Sequence, residues 1–165
     1  MPDATGLELI AQDLGEDVVD TVFFRDKATI EIAPAAIRET LGRLREKGFS
    51  FLASVHGVDY YPDEPRLGVH YELLDMKALD RLTVKLRVAT DDARVPSVTP
   101  DWPTADHQER EVFDMFGVVF DGHPDLRRIL MPEDYVGWPQ RRDFPIGGEP
   151  VLYTHNEIEA PRWFE

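Results

Sequence analysis

The chain has 165 residues, of which 42% are hydrophobic, so it is long enough for one domain with a core of its own. Acidic residues number 32 against 18 basic ones, and the net charge of -14 argues against binding to nucleic acid or anionic lipid, which require a basic surface. The chain contains no cysteine, which excludes disulfides, a thiol nucleophile and cysteine-ligated iron–sulfur clusters.

The sequence carries no sign of membrane insertion. The N-terminus lacks the basic and apolar regions of a signal peptide. No apolar run approaches the roughly 20 residues that cross a bilayer. We therefore expect the protein to reach a membrane only through a partner.

Patterns of apolar residues along the first two thirds of the chain predict alternating helices and strands. Helical spacing predicts two helices, one marked by Leu7, Ile10 and Leu14 and the other by Ile37, Leu41 and Leu44. Apolar or alternating runs predict five strands, at 18–24, 28–32 and 49–60 and from Leu67 and Leu82 onward. A third helix opens at 101–104 and ends near Gly117.

The order of these elements indicates the class of fold. Helix, two strands, helix, three strands and helix fit an α+β domain over residues 1–121. The alternation within the strands is typical of an antiparallel sheet with one buried and one wet face. We expect about five antiparallel strands with the helices packed on one face.

The chain changes character from Gly122 onward. Prolines and glycines become frequent and no periodic pattern survives. Large apolar residues persist there, namely Leu126, Ile129, Leu130, Tyr135, Trp138, Phe144, Leu152, Tyr153 and Trp163. Because a disordered tail would lose its aromatics, residues 122–165 are predicted to form an extended, irregular arm that buries them on a partner.

The sequence lacks the motifs of serine hydrolases and of nucleotide-binding enzymes. Ser50, Ser54 and Ser97 lack the glycine-flanked nucleophile elbow. Gly147-Gly148 is not followed by the lysine and hydroxyl residue of a phosphate-binding loop, and the dinucleotide fingerprint G-x-G-x-x-G does not occur.

A metal site is the remaining chemical alternative. His107 and Glu111 would share a helix face, although the HExxH pattern is absent. A free-standing metal enzyme would add His123 and Asp125 to them. The competing interpretation of the segment His123-Pro124-Asp125 is a turn whose imidazole bonds to the backbone or to a carboxylate.

The run 109–130 mixes charges with large apolar side chains, which predicts a contact surface. Glu109, Arg110 and Glu111 precede Phe113 and Phe116 directly. Taken alone, such charges also fit a solvated helix face. The arginines at 127, 128, 141 and 142 suit pairing with carboxylates across an interface, or internally with Glu109, Glu111 or Asp114.

Several of these residues match the sequence signature of a known protein family. Glu109-Arg110-Glu111, then Asp114 with 115–117, then the run 123–130, resemble the signature of the 30 kDa subunit family of the proton-pumping NADH–quinone oxidoreductase, respiratory complex I. The segments 132–134 and 141–145, with Gly137 and Pro139, also look like that family. The resemblance covers about a third of the chain.

The resemblance implies a protein without catalytic residues, metal or cofactor of its own. The complex passes electrons from NADH through FMN and iron–sulfur clusters, held by partner subunits, to quinone. In this family the 30 kDa subunit packs on the hydrogenase-large-subunit-like subunit, in the hydrophilic arm, at the cytoplasmic face of the cell membrane. Similar subunits occur in complexes linked to coenzyme F420 or ferredoxin and in membrane-bound hydrogenases, and the motif does not separate these. An acidic adaptor unrelated to respiration is a further alternative.

The resemblance also implies which residues meet the partner. Glu109, Arg110 and Glu111 would orient the helix end and pair with arginines. Arg127 and Arg128 would make forked contacts. The expected interface residues are Glu109, Arg110, Glu111, Asp114, Phe116, His123, Arg127, Arg128, Tyr135, Trp138, Arg141, Arg142 and Phe144.

Overall fold

A computed structural model describes residues 4–25 and 27–145 of the chain. Its helices and strands are α1 (Ala4–Leu14), β1 (Val18–Phe24), β2 (Lys27–Ile32), α2 (Ile37–Glu46), β3 (Phe51–Asp59), β4 (Leu67–Asp75), β5 (Asp80–Val88), β6 (Arg94–Pro96), α3 (Ala105–Phe116) and β7 (Val119–Asp121). In these described residues no helix is both long and apolar enough to cross a membrane.

The α+β class, the five-stranded sheet and the three helices are confirmed. The strand order is β1-β2-β5-β4-β3. The sheet is mixed rather than wholly antiparallel, because β2 and β5 pair in parallel, with Ile30 opposite Val84. The chain passes through α2, β3 and β4 between these two strands, so their relative direction depends on a long connection that no local pattern encodes.

One hydrophobic core lies between the helices and one face of the sheet. Val69, Tyr71, Val84 and Leu86 point into it from adjacent positions of β4 and β5 and have no exposed surface. The helices contribute Leu7, Leu14, Ile37, Leu41, Leu44, Val112, Met115 and Phe116 to the same cluster. The alternate residues of the strands form the opposite, outer face of the sheet.

Helix α3 lies on β3, and this contact sets the position of the charged run. Gly57 of β3 has no side chain, which makes room for the ring of Phe116. The side-chain oxygen of Gln108 accepts a hydrogen bond from the backbone N–H of Val55 on the same strand. Beyond α3 the strand β7 pairs in parallel with β6, a small second sheet that the sequence did not indicate.

The chain from Gly122 to Pro145 contains turns and irregular backbone but no helix or strand. This agrees with the irregular backbone predicted for the arm. Residues 146–165, with Leu152, Tyr153 and Trp163 of the predicted arm, lie outside the described residues. The predicted strand 49–60 is slightly shorter in the structure, at Phe51–Asp59.

Candidate functional site

Glu109 is enclosed rather than solvated. Its side chain has no exposed surface; it accepts a hydrogen bond from the Ser97 hydroxyl at 2.7 Å and another from the backbone N–H of Val98 at 2.8 Å. Burial raises the pKa of Glu109, and the hydrogen bonds from Ser97 and Val98 oppose that rise. Within this chain the two groups that donate to the Glu109 carboxylate are a hydroxyl and an amide rather than an arginine.

Asp114 is also fully buried, a little more than one helical turn further along α3. Its Oδ2 atom accepts hydrogen bonds from three consecutive backbone N–H groups, those of Ile129, Leu130 and Met131, at 3.0, 2.7 and 2.9 Å. Burial would raise the pKa of this carboxyl, but these amides and Arg128 together hold it below its usual value. One carboxylate thus fixes the start of the irregular segment to α3.

Arg128 completes this attachment. Its guanidinium donates to Oδ1 of Asp114 at 2.6 Å and to the carbonyl of Gly137 at 2.9 Å. It also lies over the rings of Trp138 and Tyr135, at 4.8 and 5.6 Å from their centroids. The internal pairing considered for the arginines is therefore the arrangement of Arg128.

Arg110 and Arg127 behave differently from Arg128. Arg110 donates to the backbone carbonyls of Arg127 and Arg128, both at 3.1 Å. Arg127 makes a forked pair with Asp125, with two contacts of 2.7 Å, and its side chain is exposed. Glu111 is exposed, beside β3 residues such as His56.

The turn interpretation of the segment around His123 is confirmed. Its Nδ1 atom accepts a hydrogen bond from the backbone N–H of Asp125 at 3.0 Å. Its Nε2 atom lies 3.2 Å from the backbone carbonyl of Asp106, and the side chain is enclosed. Both ring nitrogens are engaged, so His123 cannot join His107 and Glu111 as a metal ligand in this arrangement.

A second attachment point lies further along the segment. Arg66 donates to both carboxylate oxygens of Asp59, at 2.8 and 2.6 Å, and to both oxygens of Asp143, at 2.7 Å each. Asp59 also accepts the backbone N–H of Arg142 at 2.8 Å. The Arg66 hydrogen bond holds the pKa of Asp59 well below its usual value. Sequence reasoning missed Asp59, Arg66 and Asp143, because no spacing connects positions so far apart.

The side chain of Trp138 packs against the C-terminal end of α3. Its ring packs edge-on against Phe113, with centroids 5.4 Å apart, and lies where a side chain on Gly117 would stand. Gly117 has a φ of +76° and closes the helix in the left-handed conformation that glycine tolerates best. Arg141 donates to the carbonyl of Phe116 at 2.7 Å, which satisfies one of the free carbonyls of that last turn.

Tyr135 and Phe144, which together with Trp138 were expected to anchor the arm on a partner, also contact their own chain. The rings of Tyr135 and Phe144 stack with centroids 6.2 Å apart. Phe144 fills the space beside Gly137. Tyr135, Trp138 and Phe144 all keep some exposed surface, so their proposed contacts with a partner remain a prediction.

The segment exposes three large apolar side chains among charged ones. Leu130 is 56% exposed, Val136 is 88% exposed and Ile129 is 38% exposed. The exposed Arg127 lies beside them in the sequence. Polar groups inside the segment hold its backbone, while Ile129, Leu130 and Val136 remain accessible at its surface. This arrangement suits binding to another protein.

A known protein family matches most of the chain. The family described as the respiratory-chain NADH dehydrogenase 30 kDa subunit matches residues 30–150. A subunit of the NADH-quinone oxidoreductase of Salinispora arenicola is 44% identical over 162 residues, which is 96% of this chain but 66% of that protein. The equivalent protein of a Roseiflexus species is 41% identical over 160 residues, covering 95% of this chain and 92% of that protein. The chain thus spans about two thirds of the first of these relatives and most of the second.

Two solved structures are also similar. The trypsin-resistant fragment (1-134) of Nqo5 is 33% identical, with a TM-score of 0.66 over 73% of this chain and 98% of that one. A chain in the membrane-bound sulfane sulfur reductase, an archaeal respiratory membrane complex, is 26% identical, with a TM-score of 0.72 over 85% of this chain and 84% of that one.

Proposed function

The chain belongs to the family of the respiratory-chain NADH dehydrogenase 30 kDa subunit, and we propose that it is a structural subunit of an NADH–quinone oxidoreductase. In this role it binds its neighbours and contributes no catalytic residue or cofactor. The complex as a whole transfers electrons from NADH, through FMN and iron–sulfur clusters in partner subunits, to quinone.

One observation supports a structural rather than a catalytic role for this chain. The two buried carboxylates of the run 109–130 are occupied in holding the chain: Glu109 binds the loop before α3, and Asp114 binds three amides and Arg128. A carboxylate that already accepts four hydrogen bonds is poorly placed to act as a base or a ligand. The rigid attachment presents the outer side of residues 127–136 in one conformation, which lowers the entropic cost of binding.

We infer that the partner on this side is the hydrogenase-large-subunit-like protein of the complex. Glu109 and Asp114 are enclosed, so their effect on the interface is to shape the segment. Leu130, Val136 and Arg127 make the direct contacts. Since the partner holds the complex at the cytoplasmic face of the membrane, the chain proposed here is peripheral.

Copurification tests this proposal. The full chain is coexpressed with the tagged hydrogenase-large-subunit-like protein of the same organism, and its retention is compared between the wild type and the double variant Leu130→Asp/Val136→Asp. Met76→Asp is the matched control, because Met76 is 58% exposed at the turn between β4 and β5. Wild-type and control proteins are expected to be retained, and the double variant to be lost. Equal retention of all three would refute the assigned surface.

A second candidate function is membership of a related membrane complex fed by another donor. The likeness to a chain of the sulfane sulfur reductase, at 26% identity, favours it specifically. The 44% identity to a protein of an NADH-quinone oxidoreductase favours the quinone reductase. The two functions are distinguished by purifying the native complex and assaying its electron donor. Oxidation of NADH by quinone is expected only of an NADH–quinone oxidoreductase.

A further inference from the structure

The outer face of the sheet, opposite the core, carries two histidines side by side. His56 of β3 and His70 of β4 are paired across the strands, and their ring centroids lie 5.2 Å apart. Glu72 follows two positions after His70, so it projects from the same face. None of these residues belongs to the segment that binds α3.

The three side chains converge. One potential ligand atom from each of His56, His70 and Glu72 lies within 4.8 Å of the other two. Over the parts of the chain that the structure describes, this is the one group of three or more such residues. Ligand atoms on a tetrahedral zinc ion are roughly 3.3–3.5 Å apart, so a small rotation of the exposed His56 side chain would bring the set to bonding geometry.

The groups around the three residues hold two of them in place. The Tyr60 hydroxyl lies 2.7 Å from Nε2 of His70, and the Thr83 hydroxyl donates to the Glu72 carboxylate at 3.0 Å. Hydrogen bonds of this kind orient metal ligands in known sites. His56 is exposed, so the fourth position of a bound ion would be open to water or to a group of another molecule.

Several cations oppose a positive ion: Lys27 and Arg81 line the same cavity as Glu72, and Lys85 and Arg87 lie on β5 beside β4. Lys85 is paired with Glu31 at 2.6 Å, and the Arg87 guanidinium lies over the Tyr60 ring at 4.4 Å. Each therefore has an attachment of its own. Glu31 offsets Lys85, and Glu72 would contribute a carboxylate to the ion directly.

We propose that His56, His70 and Glu72 form a binding site for a divalent transition metal, with zinc as the best fit. Two imidazoles and one carboxylate match the ligands of zinc sites with an open position. A bound ion would link β3 to β4 on the outer face. The site is independent of the proposed structural role, since it shares no residue with the segment 122–145.

Isothermal titration of the full chain with ZnCl₂, after removal of metal by a chelator, tests the site. The wild type is expected to bind one ion, and MgCl₂ to give no heat, because Mg²⁺ prefers oxygen ligands. His56→Ala is expected to weaken zinc binding by at least about tenfold. Glu72→Gln, which keeps an acceptor for Thr83, is expected to weaken it similarly.

His107→Ala is the matched control, because its side chain is 78% exposed on α3 and is not one of the three ligands. It should bind zinc like the wild type. Zinc at a hundredfold excess over the wild-type Kd should also raise the Tm of the wild type by roughly 5–10 °C, and the same zinc concentration should raise that of His56→Ala by at most about half as much. No binding by the wild type, unchanged binding by His56→Ala or an equal loss in His107→Ala would each overturn the proposal.

Discussion

Asp114 and Arg128 form a buried ion pair that fixes the chain after β7 to the end of α3, with 2.6 Å between Oδ1 and Nη1. The pair is completed by the three backbone amides on Oδ2 and by the Trp138 ring over the guanidinium. A buried charge is costly unless it is fully paired. This site meets that condition, so the segment is held firmly by the domain itself.

Asp114→Asn is expected to destabilise the protein by about 3–5 kcal/mol, because it leaves Arg128 as a buried charge without its counterion. Urea unfolding followed by circular dichroism measures the loss. Asp125→Asn is the control, since Asp125 pairs with Arg127 on the surface; its unfolding midpoint should stay close to that of the wild type. Equal midpoints for the two variants would show that the Asp114 pair is not stabilising.

Gly57→Ala is expected to cost about 1–3 kcal/mol, because a methyl group there would meet the Phe116 ring and push α3 away from β3. Gly42→Ala is the matched control. A Cβ atom added at Gly42 of α2 would have no neighbour within 4 Å, so Gly42→Ala should stabilise the protein by about 0.5–1 kcal/mol. Thermal unfolding of both variants measures the opposite shifts, and a stabilised Gly57→Ala would contradict the packing of α3 on β3.

The sequence predicted the elements of the fold better than their arrangement. Helical spacing and strand alternation depend on neighbouring residues, and they located α2, β4 and β5 closely. The parallel pairing of β2 with β5 joins positions such as Ile30 and Val84, with a helix and two strands between them. Local patterns contain no information about a pairing of that range.

The site was harder to predict for a different reason. Charged residues are usually exposed, so Glu109 and Asp114 were expected to meet arginines or a partner. Their actual partners include backbone amides and a hydroxyl, which every sequence offers in many places. The turn at His123 could be predicted, because histidine, proline and aspartate favour a turn through local bonds.

Acid should weaken the second attachment point. The pKa of Asp59 is lower in the folded protein than the roughly 3.9 of an unfolded aspartate, so its stabilising effect is complete above about pH 4 and is lost as the pH falls. Asp59→Asn should therefore be less stable than the wild type at pH 7 and depend less on pH below 4. Urea midpoints at pH 2.5, 4 and 7 measure this.

The exposed Asp125→Asn provides the comparison for that acid effect. The pKa of Asp125 is also lowered by Arg127, but solvent screens this pair. Its pH profile should therefore resemble that of the wild type. Profiles of Asp59→Asn and the wild type that run parallel below pH 4 would mean that the Arg66 pair does not contribute to acid stability.

Glu109 should have the opposite pH dependence. Burial raises its pKa above the roughly 4.3 of an unfolded glutamate, so the folded state holds the proton more tightly. The stabilising contribution of the protonated form is complete below about pH 4 and is lost as the pH rises through the raised pKa. Ionised Glu109 therefore makes the fold less stable at neutral pH than at acid pH.

Glu109→Gln removes this ionisation while keeping most of the hydrogen bonds. The amide oxygen can accept the Val98 N–H, and the amide nitrogen can donate to Ser97, whose hydroxyl can rotate. The stability of the variant relative to the wild type should improve between pH 4 and pH 8. Glu111→Gln, on the exposed side of α3, removes the same formal charge and controls for net charge. A difference between Glu109→Gln and the wild type that is constant across this range, in urea unfolding, would show that folding does not raise the pKa of Glu109.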